Sequence, residues 1–324
     1  MRLFFSILVL FGHSFFLSEL GSDPIQMGGI AVGAFFIISG FLISNSWMQR
    51  RSLWDYLRKR IARIYPGFAG VWILMSLLVA GYFVTRPLQL LKVPVHILML
   101  EQFGYPGLFS ENPYHDVNGS LWTIGYEFRC YLLLPLLAII GLDRKRWTAV
   151  CLLVVALLLT MVEPAHLHIG NFVMNLIFRD PAAWPRLIAC YAGGMVFYFY
   201  RAETPRSPWL ALLAAAVLAL TARSPFAMNL AMPIAGTYLL MWIAYQPLGL
   251  SRFSRYGDFS YGVYLYAFLM QQIVVALYHG HITPTLLSVA SLPLTLLAGV
   301  GSWYGIERHF LRAAHSRRPS IVAN

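Results

Sequence analysis

The run from Leu3 to Leu20 is apolar almost throughout and long enough to cross a bilayer. Hydrocarbon offers no water to unpaired backbone groups, so an apolar run without strict alternation has one way to cross, as a helix. Similar runs recur along the whole chain. Of the 324 residues, 59% are hydrophobic and 11% charged, whereas soluble domains carry about 25% charged residues. The chain is therefore expected to be an all-α integral membrane protein. Spans are predicted near 3–20, 27–47, 64–84, 119–142, 147–163, 182–200, 209–223, 228–246, 259–279 and 285–306, a bundle of about ten transmembrane helices. Residues 1–312 are expected to form a single transmembrane domain and residues 313–324 a disordered cytoplasmic tail.

Basic residues set the orientation. With a cytoplasmic N-terminus, the inner segments hold 18 of the 24 Lys and Arg, including the cluster Arg50, Arg51, Arg58, Lys59, Arg60 and Arg63. Both termini are then cytoplasmic by the positive-inside rule. The net charge of +11 follows from this topology, and no nucleic-acid partner is expected. Cys130, Cys151 and Cys190 fall in apolar spans and read as packing residues. The histidines lack zinc-site spacing, so no metal is expected.

His13 interrupts the first apolar run. A titratable side chain at that depth is costly and is by default a functional-site candidate; the alternative is a packing role through a hydrogen bond to a neighbouring helix. Arg2 lies eleven residues earlier, so the two share one helix face, about 16 Å apart along the axis. Between the second and third spans, Leu53, Trp54, Leu57 and Ile61 recur at helical spacing among basic residues, which predicts an amphipathic helix on the inner surface. There Arg60 and Arg63 stand one turn apart and can converge on a phosphate, or simply anchor on anionic lipid. In the fourth span Glu127 and Arg129 are about 200° apart on the helix, so each needs a partner elsewhere in the bundle. Ser120, Thr123, Glu127 and Tyr131 share one face as a polar seam. Glu127 is a candidate catalytic carboxylate or one half of a structural ion pair. Glu307, beside Arg308 where the last helix leaves the membrane, reads as a surface residue.

The same residues carry a resemblance. Arg2 with His13, the segment Gly33 to Ile43 (GAFFIISGFLI), Arg60 to Pro66 (RIARIYP), Ser120 to Glu127 (SLWTIGYE), Phe259 to Tyr266 (FSYGVYLY) and Ile306 to Phe310 (IERHF) resemble, in order, the motifs of the acyltransferase-3 family of bacterial membrane O-acyltransferases. The likeness spans essentially the whole chain. Ala267 stands where many members have histidine, which removes one auxiliary base, and His309 stands where proline is usual.

The resemblance implies transfer of an acyl group, expected to be acetyl, from cytoplasmic acyl-CoA to a hydroxyl of a cell-envelope or secreted saccharide or glycolipid, in a bacterial inner membrane. No permanently bound cofactor is expected; acyl-CoA is a co-substrate. A thioester is already activated, so the enzyme chiefly deprotonates the acceptor and stabilises the oxyanion. His13 and Glu127 are the expected catalytic residues, with Glu127 orienting the imidazole or holding the proton. Arg2, Arg60 and Arg63 are expected to hold the CoA phosphates, and Ser120, Trp122 and Tyr261 to contact substrate, although an interfacial aromatic belt also accounts for Trp122. A second reading is a transporter or flippase of a lipid-linked saccharide in which His13, Glu127 and Arg129 relay protons.

Overall fold

A computed structural model describes residues 1–18, 23–50, 52–105, 108–162, 180–247 and 257–316. It is built from helices, with no strand among the described residues. The long elements are α1 (Arg2–Leu17), α2 (Met27–Arg50), α3 (Leu53–Leu78), α7 (Trp122–Ile139), α8 (Arg146–Thr160), α9 (Trp184–Tyr200), α10 (Pro208–Thr221), α13 (Ser260–Leu277) and α14 (Pro284–Ser302). Short helices α4 (Ala80–Thr85), α5 (Pro87–Leu90) and α6 (Val93–Met99) follow α3. Two π-helical turns interrupt the apolar helices. Met232–Gly236 joins α11 (Pro225–Ala231) to α12 (Thr237–Ala244), and Trp303–Glu307 joins α14 to α15 (Arg308–Ser316).

Among the described residues, five helices are long and apolar enough to cross a membrane: Met27–Gln49, Leu53–Leu78, Pro225–Ala244, Ser260–Leu277 and Pro284–Ala314. Shorter apolar helices such as Arg2–Leu17 and Arg146–Thr160 accompany them. Two expectations need correction. The amphipathic segment and the third span are not separate, because one helix runs from Leu53 through Pro66 to Leu78. The tail expected at 313–324 begins as helix, since α15 extends to Ser316; residues 317–324 lie outside the described residues.

Small residues let the helices close up, as membrane bundles require. Where α2 crosses α9, a Cβ on Gly40 would meet the Tyr191 carbonyl oxygen at 1.9 Å, and one on Gly194 would meet the Ile37 oxygen at 2.0 Å. Prolines in spans create a second requirement. Pro135 has no N–H to give the carbonyl of Tyr131, four residues back, and the hydroxyl of Tyr56 donates to that oxygen instead. This ties α3 to α7. Between α1 and α13, Gln271 donates to Leu10 O at 2.8 Å and to Ser14 Oγ at 2.7 Å, and Ser288 of α14 donates to Ser14 Oγ at 2.7 Å.

Candidate active site

One cavity gathers much of the chemistry. Arg2 of α1, Arg63 of α3, Thr123, Glu127 and Tyr131 of α7, and Tyr261 of α13 line it, with Phe35, Phe36 and Ile64 as apolar wall. It measures about 30 Å³, room for two or three waters at roughly 10–15 Å³ each.

Glu127 is its electrostatic centre. Its Oε1 accepts from Ser39 Oγ at 2.9 Å and from the Tyr131 hydroxyl, and lies 3.9 Å from Arg2 NH2. Arg2 in turn donates to Ser39 Oγ at 3.3 Å, so Ser39 bridges cation and carboxylate. The polar seam on α7 explains this placement: residues 123, 127 and 131 recur every turn on the face opposed to α1 and α2. Arg129, about 200° round the helix, points away and donates to Gly125 O at 2.8 Å.

Arg63 lies 2.7 Å from Asp258 Oδ2 and sits 5.5 Å over the Tyr261 ring, whose hydroxyl donates to Ile64 O at 2.8 Å. Burial alone would raise the Asp258 carboxyl. Arg63, Arg2 and the hydrogen bonds from Ser260 outweigh it and hold the group at about 2. Arg60 stands one layer behind the cavity, its guanidinium carbon 5.7 Å from the Tyr56 ring centre and 5.8 Å from that of Tyr131. Its Nε is buried with no hydrogen-bond partner among the described residues.

Four of the eight predicted residues, Arg2, Arg63, Glu127 and Tyr261, thus line one cavity, with Arg60 against its Tyr131 wall. The other three lie elsewhere. Ser120 is fully buried; its hydroxyl donates to Asn118 Oδ1 at 2.8 Å, and its carbonyl accepts from the Tyr264 hydroxyl at 2.8 Å. Trp122 packs against Tyr126 and lies under the Arg186 guanidinium, 5.3 Å from its ring centre.

His13 lies three turns beyond Arg2 on α1, about 16 Å along the axis. Its ring meets Phe268 edge-on at 5.1 Å and Phe16 at 6.3 Å, and its Nδ1 is buried with no hydrogen-bond partner among the described residues. The expectation that Glu127 orients the imidazole is therefore corrected: Glu127 engages Ser39, Tyr131 and Arg2 instead. Between the two lie Tyr264 and Phe268, one turn apart on α13, with the Tyr264 hydroxyl bonded to Thr123 Oγ1. Glu307 also departs from expectation. It is 1% exposed, because the π-helical turn brings it under Ser302, whose hydroxyl donates to its Oε1 at 2.8 Å.

The residues missed are mainly those that answer a charge from far along the chain. Ser39 lies 88 positions from Glu127, and Asp258 lies 195 from Arg63. The only signal for either was its place in the motifs, Ser39 inside one stretch and Asp258 just before another.

Comparison with known proteins places the chain among relatives. The family model described as acyltransferase domain, acyltransferase-3, matches residues 1–304. An O-acetyl transferase of Shigella phage Sf6 is 27% identical, covering 96% of this chain and 94% of the relative. Nodulation protein 10 of Rhizobium leguminosarum bv. viciae is 28% identical over 100% of this chain and 94% of its own length. A putative acetyltransferase, ORF330, of Acidianus two-tailed virus is 24% identical over 85% of this chain and 82% of its own. No solved structure matches. With a family match that takes in every motif stretch but the last, the chain belongs to the acyltransferase-3 family and is a membrane O-acyltransferase.

Proposed function

We propose that this acyltransferase takes an acetyl group from acetyl-CoA at the cytoplasmic face of a bacterial inner membrane. The acceptor is a hydroxyl of a cell-envelope or secreted saccharide. The observation that carries the reading is the division of α1: Arg2 shares a cavity with Arg63 at one end, and His13 offers an imidazole nitrogen with no hydrogen-bond partner among the described residues about 16 Å further along. CoA has the same division, with phosphates at one end of a pantetheine arm and a thioester at the other.

In this reading Arg2, Arg60 and Arg63 grip the phosphates, since guanidinium forks match phosphate oxygens two at a time. Asp258 holds Arg63 until the donor displaces it. Glu127 is a positioning residue that keeps Arg2 aimed through Ser39. The pantetheine arm runs past Thr123 and Tyr264, which part to admit it, and delivers the thioester to His13. There the neutral imidazole takes the acceptor's proton, the alkoxide oxygen bonds to the thioester carbonyl carbon, and the C–S bond breaks. The departing CoA thiolate takes the proton from the imidazolium, which restores the base.

His13→Ala tests the assignment in purified protein supplied with acetyl-CoA and a saccharide acceptor. The expected result is normal insertion, acetyl-CoA affinity within about twofold of wild type, and transfer slowed by roughly 10²- to 10⁴-fold, the usual contribution of a positioned base. Near-normal transfer by a stably inserted variant overturns the role of His13. Failure of wild type to bind acetyl-CoA at millimolar concentration overturns the donor.

A further inference from the structure

We propose that Tyr114 and Asp116 form a platform that holds the saccharide acceptor beside His13 and selects uncharged sugars over acidic ones. The inference rests on the reading of His13 as the base and names what holds the second substrate there. Phe268 makes the connection. Its buried ring meets the His13 ring edge-on at 5.1 Å and the Tyr114 ring edge-on at 6.0 Å, so Tyr114 and His13 flank one phenyl group. Gly119 allows the close approach, because a Cβ there would meet Phe268 Cε2 at 2.8 Å. Tyr114 itself is 41% exposed, so part of an amphipathic ring stays open for the apolar side of a sugar.

Buried amides hold this platform to one place. Gln272 of α13 is fully buried; its Oε1 accepts from Asn112 Nδ2 at 2.8 Å, and its Nε2 donates to Tyr114 O at 2.7 Å and to Asp116 O at 2.6 Å. Asn118, also buried, donates to Leu265 O at 2.8 Å. An amide buried without partners is costly, so these bonds fix residues 112–118 on the helix that carries Phe268. On the outer side of the same segment, the Tyr114 hydroxyl and Gln102 Nε2 each donate to Asp116 Oδ2 at 3.3 Å. Asp116 Oδ1 takes no hydrogen bond from the described residues, and the residue is exposed, so this oxygen can accept from a sugar hydroxyl.

Charge decides which sugar. Between Lys92 and Arg129 the sequence has no lysine or arginine, whereas Glu101, Glu111 and Asp116 all carry carboxylates. A carboxylate accepts from a neutral polyol and repels an acidic one. The acceptor end of α1 is therefore opposite in character to the donor end, where Arg2 and Arg63 share a cavity.

The test supplies purified protein in nanodiscs with radiolabelled acetyl-CoA and a panel of methyl glycosides, each neutral hexose paired with the uronic acid of the same stereochemistry. In wild type the neutral glycoside is expected to react with kcat/KM at least tenfold above its uronate, as one nearby like charge provides. Asp116→Asn keeps an acceptor and should narrow that gap to about threefold or less. Tyr114→Ala should raise the acceptor KM about tenfold and leave the acetyl-CoA KM within about twofold. Tyr114→Phe keeps the ring and should stay within about threefold of wild type for both. Equal use of neutral sugar and uronate by wild type overturns the proposal without any variant having to fold. So does an acceptor KM unmoved by Tyr114→Ala, or a gap unmoved by Asp116→Asn. A wild type that binds acetyl-CoA yet acetylates no glycoside overturns the saccharide reading and this proposal with it. Failure to bind acetyl-CoA overturns instead the donor reading on which the transfer depends.

Discussion

Replacing Arg60 and Arg63 together with lysine puts the donor site to its most direct test. Net charge, topology and attraction to anionic lipid are all kept, so residues that merely anchor the helix should tolerate the change. What disappears is the planar fork. After Arg63→Lys the ammonium can still pair with Asp258, but it cannot also lie flat over the Tyr261 ring while offering two parallel donors, as the guanidinium does. Arg60→Lys loses the flat contact with Tyr56 and Tyr131. Each replacement removes one charge-assisted hydrogen bond to phosphate, about 1.5–3 kcal/mol when fully made. With partial compensation by the ammonium, about 1–1.5 kcal/mol is lost at each site, or roughly 30- to 140-fold in acetyl-CoA affinity for the pair. Calorimetry on purified wild type and double variant measures this, with thermal unfolding as the check that the fold survives. An affinity within about threefold of wild type, less than about 1 kcal/mol, would refute the phosphate-gripping role.

Glu127→Gln keeps an acceptor for the Ser39 and Tyr131 hydroxyls and removes only the charge facing Arg2. We expect normal protein level, weaker acetyl-CoA binding as Arg2 loses its aim at the phosphates, and transfer lower by about 10²-fold. A depleted protein with normal turnover per molecule, the signature of a lost structural pair costing about 3–5 kcal/mol, contradicts this. Asp258→Asn frees Arg63 from its competitor and should tighten acetyl-CoA binding, read by calorimetry. Because the Asp258 carboxyl sits at about 2, its stabilising contribution is complete above its unfolded value near about 3.9 and is lost only as pH falls through about 2. Donor affinity titrated from about pH 5 to 8 should therefore show no inflection from this group. Tyr56→Phe leaves the Tyr131 carbonyl without a donor and should cost about 1–3 kcal/mol, seen as a lower unfolding temperature. The change should be small in a variant that also carries Pro135→Ala, which restores the backbone N–H.

Sequence and structure part company where the chain must answer a charge from a distance. Helix positions follow from apolar runs, and the described helices lie close to the expected spans, save where Leu53–Leu78 fuses a surface segment with a span. The expected division falls where the basic run ends at Arg63 and the apolar run begins, but a change of surroundings does not by itself end a helix. Glu307 misled for a different reason. Its neighbour Arg308 suggested water, and ordinary α-helical geometry does not put residues five apart in contact. The π-helical turn at Trp303–Glu307 adds a residue to the turn and sets Glu307 directly under Ser302. No periodicity of about 3.6 can show such an inserted residue. Likewise Pro135 advertises an orphaned carbonyl at Tyr131, but nothing local says that Tyr56, 75 positions away, supplies the missing donor.

The fourth span shows how far a spacing argument reaches. Two residues apart on a helix means about 200° of rotation, so Glu127 and Arg129 cannot neutralise each other and must look into different surroundings. The structure gives each its own: Glu127 faces the narrow cavity it shares with Arg2, and Arg129 lines the broad, mainly apolar cleft. A single helix therefore separates a small cavity that holds charged side chains from a much larger, mainly apolar cleft. The spacing also weighs against Glu127 and Arg129 passing protons to each other directly, since α7 itself stands between them.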